Sequence, residues 1–237
     1  MTQVFAGFET RSGRFLTFQN DAVAADTETE ILSGGTNQNA QVGVGAGQYG
    51  VNETLVRGAV YMGNPAENIV AWLEAPTGQV LQPLPITNSG NSMGLVDLCA
   101  PVTLVTGVSI KVLITAQGAG GTAYLACYSP TKSDVFKVDA VSAGNEVEFL
   151  SVKTGQSIGN SMVGSTITKI RASAGVNADP AVGQLWPFAY VKSSEGYVKG
   201  AVGIANMINA DAGNIQAFFS DCRIQVMQND KAFITAP

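Results

Sequence analysis

Apolar and polar positions alternate over short distances along this chain. Short runs rich in Val, Ile, Thr and aromatic residues recur every 8 to 15 residues, bounded by Gly, Asn, Asp, Ser and Pro. That is the punctuation of strands and turns. In the first half the runs predict strands over Glu28–Leu32, Gln41–Val44, Thr54–Met62, Asn68–Leu73, Gln79–Leu84, Gly94–Leu98, Ser109–Thr115 and Thr122–Tyr128. In the second half they predict Glu146–Val152, Ser161–Val163, Thr166–Ser173, Gly183–Val191, Tyr197–Gly200, Ala201–Met207, Ile215–Phe219 and Arg223–Gln228. Turns are expected at 34–35, 63–64, 118–121, 211–213 and 228–230. No long window holds apolar residues at i, i+3, i+4 and i+7, and 27 glycines are scattered through the chain, which weakens any helix. The stretch Val202–Ala210 fits a helix no better than it fits a strand. Many short strands with polar turns point to a β sandwich or barrel, not a parallel α/β sheet.

The pattern also repeats. Asp21–Ser33 aligns without a gap to Asp139–Ser151, with eight of thirteen positions identical, and Phe18 matches Phe136 upstream. Three further landmarks follow in the same order: Leu55–Ala59 and Lys169–Ser173, each with a central Arg; a proline turn at Pro65 and Pro180; and a tryptophan strand at Trp72 and Trp186. The expected fold is all-β: two tandem antiparallel β-sandwich, jelly-roll-like domains related by internal duplication. An N-terminal arm would occupy 1–17, the first sandwich 18–132 and the second 133–237.

Charge and composition narrow the functions. Asp, Glu, Lys and Arg make up only 13% of the 237 residues, about half the usual share. A surface short of charge suits a protein packed against copies of itself, since interface cores are depleted in charge, and equally a neutral secreted domain. The net charge of −5 lies entirely in residues 1–118, which hold four Lys/Arg and nine Asp/Glu; residues 119–237 hold nine of each. There is no basic stripe, so direct nucleic-acid binding is not expected. The N-terminus lacks a basic segment followed by an apolar one, and the longest apolar stretches are too short to span a bilayer. A soluble protein is expected.

Candidate chemistry is sparse. Histidine is absent, which removes the commonest general base and the usual zinc ligand. Cys99, Cys127 and Cys222 make an odd count without CxxC spacing, and the reading is buried free thiols. Glu28 with Glu30, and Glu146 with Glu148, stand at period two and so share a strand face. Paired carboxylates can serve glycoside hydrolysis or a hard cation, but no apolar pocket is evident to raise one pKa, so a solvated face is favoured. Trp72 and Trp186 sit in apolar runs and read as core anchors before sugar platforms. Val42–Gly50 contains GxGxG, yet another strand is expected after it, so a loop or bulged edge strand is preferred to a phosphate cradle. Gln117–Thr122 is read the same way. Asn88–Ser92 lacks the spacing of a calcium loop; a structural cation such as Ca²⁺ is compatible with the sequence but unspecified by it. No catalytic residue and no cofactor is assigned, and the chain is not expected to be an enzyme.

Sixteen short strands in two tandem copies resemble the double jelly roll of viral major capsid proteins over about residues 18–237. The resemblance is one of architecture and includes no diagnostic motif. It implies a homotrimer of double sandwiches forming a pseudo-hexagonal block, which tiles an icosahedral shell together with other virion proteins. It further implies assembly in the host cytoplasm, often over a membrane. A decoration, turret or spike protein built of two sandwiches is the alternative. A carbohydrate-binding or adhesive β-sandwich is a further one, and it calls for an exposed aromatic platform.

Overall fold

A computed structural model describes residues 2–34, 43–62, 68–88, 94–115, 122–139, 141, 145–174, 188–206, 215–217 and 219–235. The fold is all-β, with two nearly closed sheets that are mostly antiparallel. The N-terminal half contains β1 (Thr2–Thr10), β2 (Phe15–Val23), β3 (Thr29–Ser33), α1 (Ala46–Tyr49), β4 (Thr54–Met62), β5 (Asn68–Glu74), β6 (Val80–Pro83), β7 (Ile86–Asn88), β8 (Val96–Thr103) and β9 (Ser109–Thr115). The C-terminal half contains β10 (Ala123–Tyr128), β11 (Asp134–Val138), β12 (Glu146–Glu148), β13 (Leu150–Ser151), α2 (Ile158–Ser161), β14 (Thr166–Ala174), β15 (Phe188–Lys192), β16 (Val198–Asn206), β17 (Ile215–Ala217), β18 (Ser220–Gln225) and β19 (Lys231–Thr235).

Period-two alternation assigns side chains to three apolar clusters. Val4, Ala6 and Phe8 of β1, Leu16 and Phe18 of β2, and Ile69, Ala71 and Leu73 of β5 fill the N-terminal core. Ala123, Leu125 and Cys127 of β10, with Phe136 and Val138 of β11, fill the C-terminal core. The intervening residues of the same strands, Val70 and Trp72 on one side and Tyr124, Ala126 and Val135 on the other, form a third cluster between the halves. β5 is therefore buried along its whole length and reads from Ile69 to Leu73 as an unbroken apolar run, as strands covered on both faces do.

Both halves are wired alike. β4-β1-β2-β3 is a Greek key, its fourth strand returning beside the first, and β14-β10-β11-β13 repeats it. β9 lies between β3 and β5, as β19 lies between β12 and β15. β8 pairs with β4, and β18 with β14. In the N-terminal half the gap between β6 and β8 is spanned by buried Gln82, whose side-chain amide donates to Ala100 O and accepts from Ala100 N, both at 3.0 Å. One strand crosses over: β17 pairs with β7.

The register supports part of the sequence alignment. Phe18 faces Ser33, and Phe136 faces Ser151, so these residues match in both strands. Each serine N–H bonds into the following loop, to Val44 O and to Gln156 O, and each serine carbonyl accepts from a glycine at positive φ, Gly43 (+74°) and Gly155 (+68°). Other landmarks slip. Arg57 pairs with Asp97 where Lys169 pairs with Asp221, so Lys169 and not Arg171 is the counterpart of Arg57. Trp72 faces Lys111 where Tyr190 faces Phe233, so Tyr190 holds the position of Trp72. Trp186 and the two proline turns lie outside the described residues.

Residues 2–10 are a central strand and not part of an arm, because Val4, Ala6 and Phe8 are at most 2% exposed. The two cores divide between Thr115 and Ala123, ahead of the expected break at 132. Val202–Asn206 belongs to a strand.

Candidate functional site

The two halves meet along an apolar seam. β5, β6 and β9 present Val70, Trp72, Val80 and Leu113; β10 and β11 oppose them with Tyr124, Ala126 and Val135. Trp72, the largest fully buried side chain among the described residues, donates its indole N–H to Glu74 Oε2 at 2.9 Å. Polar bonds ring the apolar centre. Tyr124 shares a 2.8 Å hydrogen bond with Thr115, and Asn68 Nδ2 donates to Thr122 O at 3.0 Å. Lys137 reaches Asp26 across the seam at 3.2 Å.

Lys153 is the main charged tie. From the loop after β13 its ammonium meets Glu74 at 2.7 Å and Glu28 at 2.9 Å, and lies 5.7 Å from the Trp72 ring centroid. Burial alone would lower its pKa, but the bonds to Glu74 and Glu28 outweigh that and raise it. Lys137 behaves alike: burial lowers, Asp139 and Asp26 raise, and the result is a raised pKa. Arg171 is 2% exposed, donates through Nη1 to Leu84 O at 2.5 Å and stacks on Phe219 at 5.1 Å, while its Nη2 has no hydrogen-bond partner. Burial lowers its pKa to about 10. Asp134 lies at the rim, its pKa raised by burial despite hydrogen bonds from the Ser161 hydroxyl and the Val135 N–H.

Beside the seam runs a groove of about 550 Å³ lined by Asp26, Glu28, Lys137, Asp139, Glu148 and Leu150. Its carboxylates are already engaged: Asp26 and Asp139 by Lys137, Glu28 by Lys153, and Glu148 by Lys231.

The acidic pairs singled out in the sequence do not converge. Glu28 holds Lys153, Glu30 holds Lys111 at 3.4 Å, Glu146 holds Lys192 at 2.7 Å and Glu148 holds Lys231 at 2.9 Å. Lys192, then Tyr190, hold the Glu146 carboxyl below the usual range. All three cysteines are free. Burial pushes the thiols of Cys99 to about 12 and Cys222 to about 11, and raises that of Cys127 as well. The glycine-rich stretch continues into α1 and not directly into a strand. Gly47 donates to Val108 O at 2.7 Å, and a Cβ there would lie 2.1 Å from Val105 O. The glycine is needed for that close backbone approach, and the four-residue helix is followed by a turn at 50–52 and then by β4. Residues 89–92 and 117–121 lie outside the described residues. Among the described residues no group of three His, Cys, Asp or Glu is placed to hold a metal.

The sequence does not mark Tyr124 or Lys153 for a role, and it marks Arg171 only as a landmark of the repeat. Only Tyr124 carried a signal: the run Ala123–Tyr128 has no polar alternate, which marks a strand buried on both faces. No family model, no curated protein and no solved structure matches the chain.

Proposed function

We propose that this protein is a non-catalytic structural subunit that assembles with copies of itself, most simply as the major capsid protein of a virion. The observation that carries the reading is the repetition of one strand wiring in both halves, fused through an apolar seam. On this reading the halves are two β sandwiches that arose by internal duplication. Their likeness to the double jelly roll is one of architecture, since the winding within each half starts with the tight β1–β2 and β10–β11 hairpins. A chain with two similar sandwiches suits shell building, because three chains then offer six similar flanks to a hexagonal lattice. Repeated use of one contact is how closed assemblies form. Low surface charge lets those flanks bury. Other virion proteins and an underlying membrane complete the proposed surroundings. Light scattering across a concentration series tests the reading. Mass rising to trimers or larger closed particles is expected; a stable monomer at high micromolar concentration would overturn it.

A further inference from the structure

The seam inside the chain joins two different faces. The N-terminal half supplies β5, β6 and β9; the C-terminal half supplies β10 and β11. Each half should therefore carry both kinds of face, and the matched registers show where the unused ones lie. On the C-terminal half, Phe188, Tyr190 and Val198 hold the positions of Val70, Trp72 and Val80. On the N-terminal half, Phe5, Gly7 and Thr17 hold the positions of Tyr124, Ala126 and Val135.

Exposure separates the used face from the free one. Val70 and Trp72 are 0% exposed and Val80 3%; Phe188 is 50% exposed, Val198 59%, and the neighbouring Tyr197 70%. Phe188 and Val198, this open at positions that are sealed in the other half, form an unfinished contact. The opposite face has the matching character: Phe5 packs against Tyr61 at 6.2 Å, and Thr17 is open to solvent.

Charge follows the same logic. Inside the chain, Glu74 and Glu28 receive Lys153 from the other half. On the free face, Lys192 stands in place of Glu74 and is already paired with Glu146. On the free partner face, Gln19 stands where Lys137 stands in the seam. A paired lysine thus stands on one face and a neutral glutamine on the other, and Glu9, on the same side of β1 as Phe5 and Gly7, is itself paired with Arg57.

We propose that the Phe188–Tyr190–Val198 face of one chain docks on the Phe5–Thr17 face of a second copy, repeating between chains the contact already made within one. The contact is head to tail, so each chain uses both faces, and rotation at the joint sets the number of copies in a closed ring. This rests on the self-association part of the proposed function and specifies its surface.

The test mixes two variants, each with one face spoiled at an exposed position: Val198→Asp and Thr17→Arg. By sedimentation at concentrations where the wild type associates, each variant alone should lose association by about tenfold or more. Mixed, they should form a dimer and stop, because one intact face of each kind remains. Circular dichroism matching the wild type confirms that both fold. If the wild type assembles and either variant assembles equally well, the face assignment is wrong while the shell reading stands. If the wild type never associates, both fall. If both variants dissociate but the mixture does not pair, the head-to-tail geometry is wrong.

Discussion

Replacing Trp72 by Ala removes the centre of the seam. The indole is fully buried and packs among Val70, Val80, Leu113, Tyr124, Ala126 and Val135. Deleting a buried aromatic of this kind costs about 3–5 kcal/mol, transfer and cavity together. Two linked losses come with it: Glu74 Oε2 loses an N–H donor at 2.9 Å, and Lys153 loses the ring beneath it at 5.7 Å. Trp72→Phe keeps most of the packing and gives up the N–H bond, a loss of about 1 kcal/mol, because Lys153 still serves Glu74. Urea unfolding followed by far-ultraviolet circular dichroism reads both changes without depending on Trp fluorescence. With a denaturant slope near 3 kcal/mol/M, a 4 kcal/mol loss lowers the midpoint by roughly 1.3 M, and the Phe variant by roughly a quarter of that. Each half retains its own core, so the loss falls on the joint and the Ala curve should broaden as the halves uncouple. An Ala midpoint within about 0.3 M of the wild type would show that the third cluster does not hold the halves together.

The matched wiring makes paired predictions. Gly47→Ala and Gly159→Ala should each destabilise by about 2–3 kcal/mol, since the added Cβ would lie 2.1 Å from Val105 O or 2.3 Å from Asp230 N; a tolerated substitution in either half, seen by thermal melting, contradicts the shared backbone approach. Ser12, then Arg14, hold the Glu53 carboxyl below its ordinary 4.5. A depressed carboxylate adds stability that is present above the ordinary pKa and drains away as the pH falls through the lowered one. Glu53→Gln should therefore melt earlier than wild type near pH 7, with the gap narrowing near pH 3; a gap that widens on acidification refutes this assignment.

Many strand positions were legible because alternation is a local property, but β1, β2, β11 and β19 were not marked, and Ser161, expected to open a strand, ends α2. The run Asn68–Leu73 announced the strand observed over Asn68–Glu74, and the turn before Lys231 fell where Gln228, Asn229 and Asp230 had placed one. The repeat was legible where both halves keep the same loop lengths, as between Phe18 and Ser33 and between Phe136 and Ser151. It slipped beyond them. Nine residues separate Ser33 from Gly43, but only three separate Ser151 from Gly155, so landmark residues at a nearly constant offset fall out of register. The two arginines show the result: Arg57 is exposed and bonded to Glu9 and Asp97, whereas Arg171 is buried at the seam. β1 lies upstream of the aligned segment, and its counterpart β10 shares its wiring but not its residues, so the alternation of Val4, Ala6 and Phe8 went unflagged. The seam was not legible at all beyond Trp72 and Tyr124, because Lys153 and Glu28 meet across 125 residues of chain with no local pattern to announce it.

On the proposal above, one contact between unlike faces serves both within the chain and between chains. Electron microscopy of the concentrated wild-type protein tests it most directly. Closed particles should appear in which similar lobes number twice the chains, every lobe joined to the next through the same pair of faces. Isolated two-lobed molecules at the highest attainable concentration, or particles joined through any other surface, would contradict it.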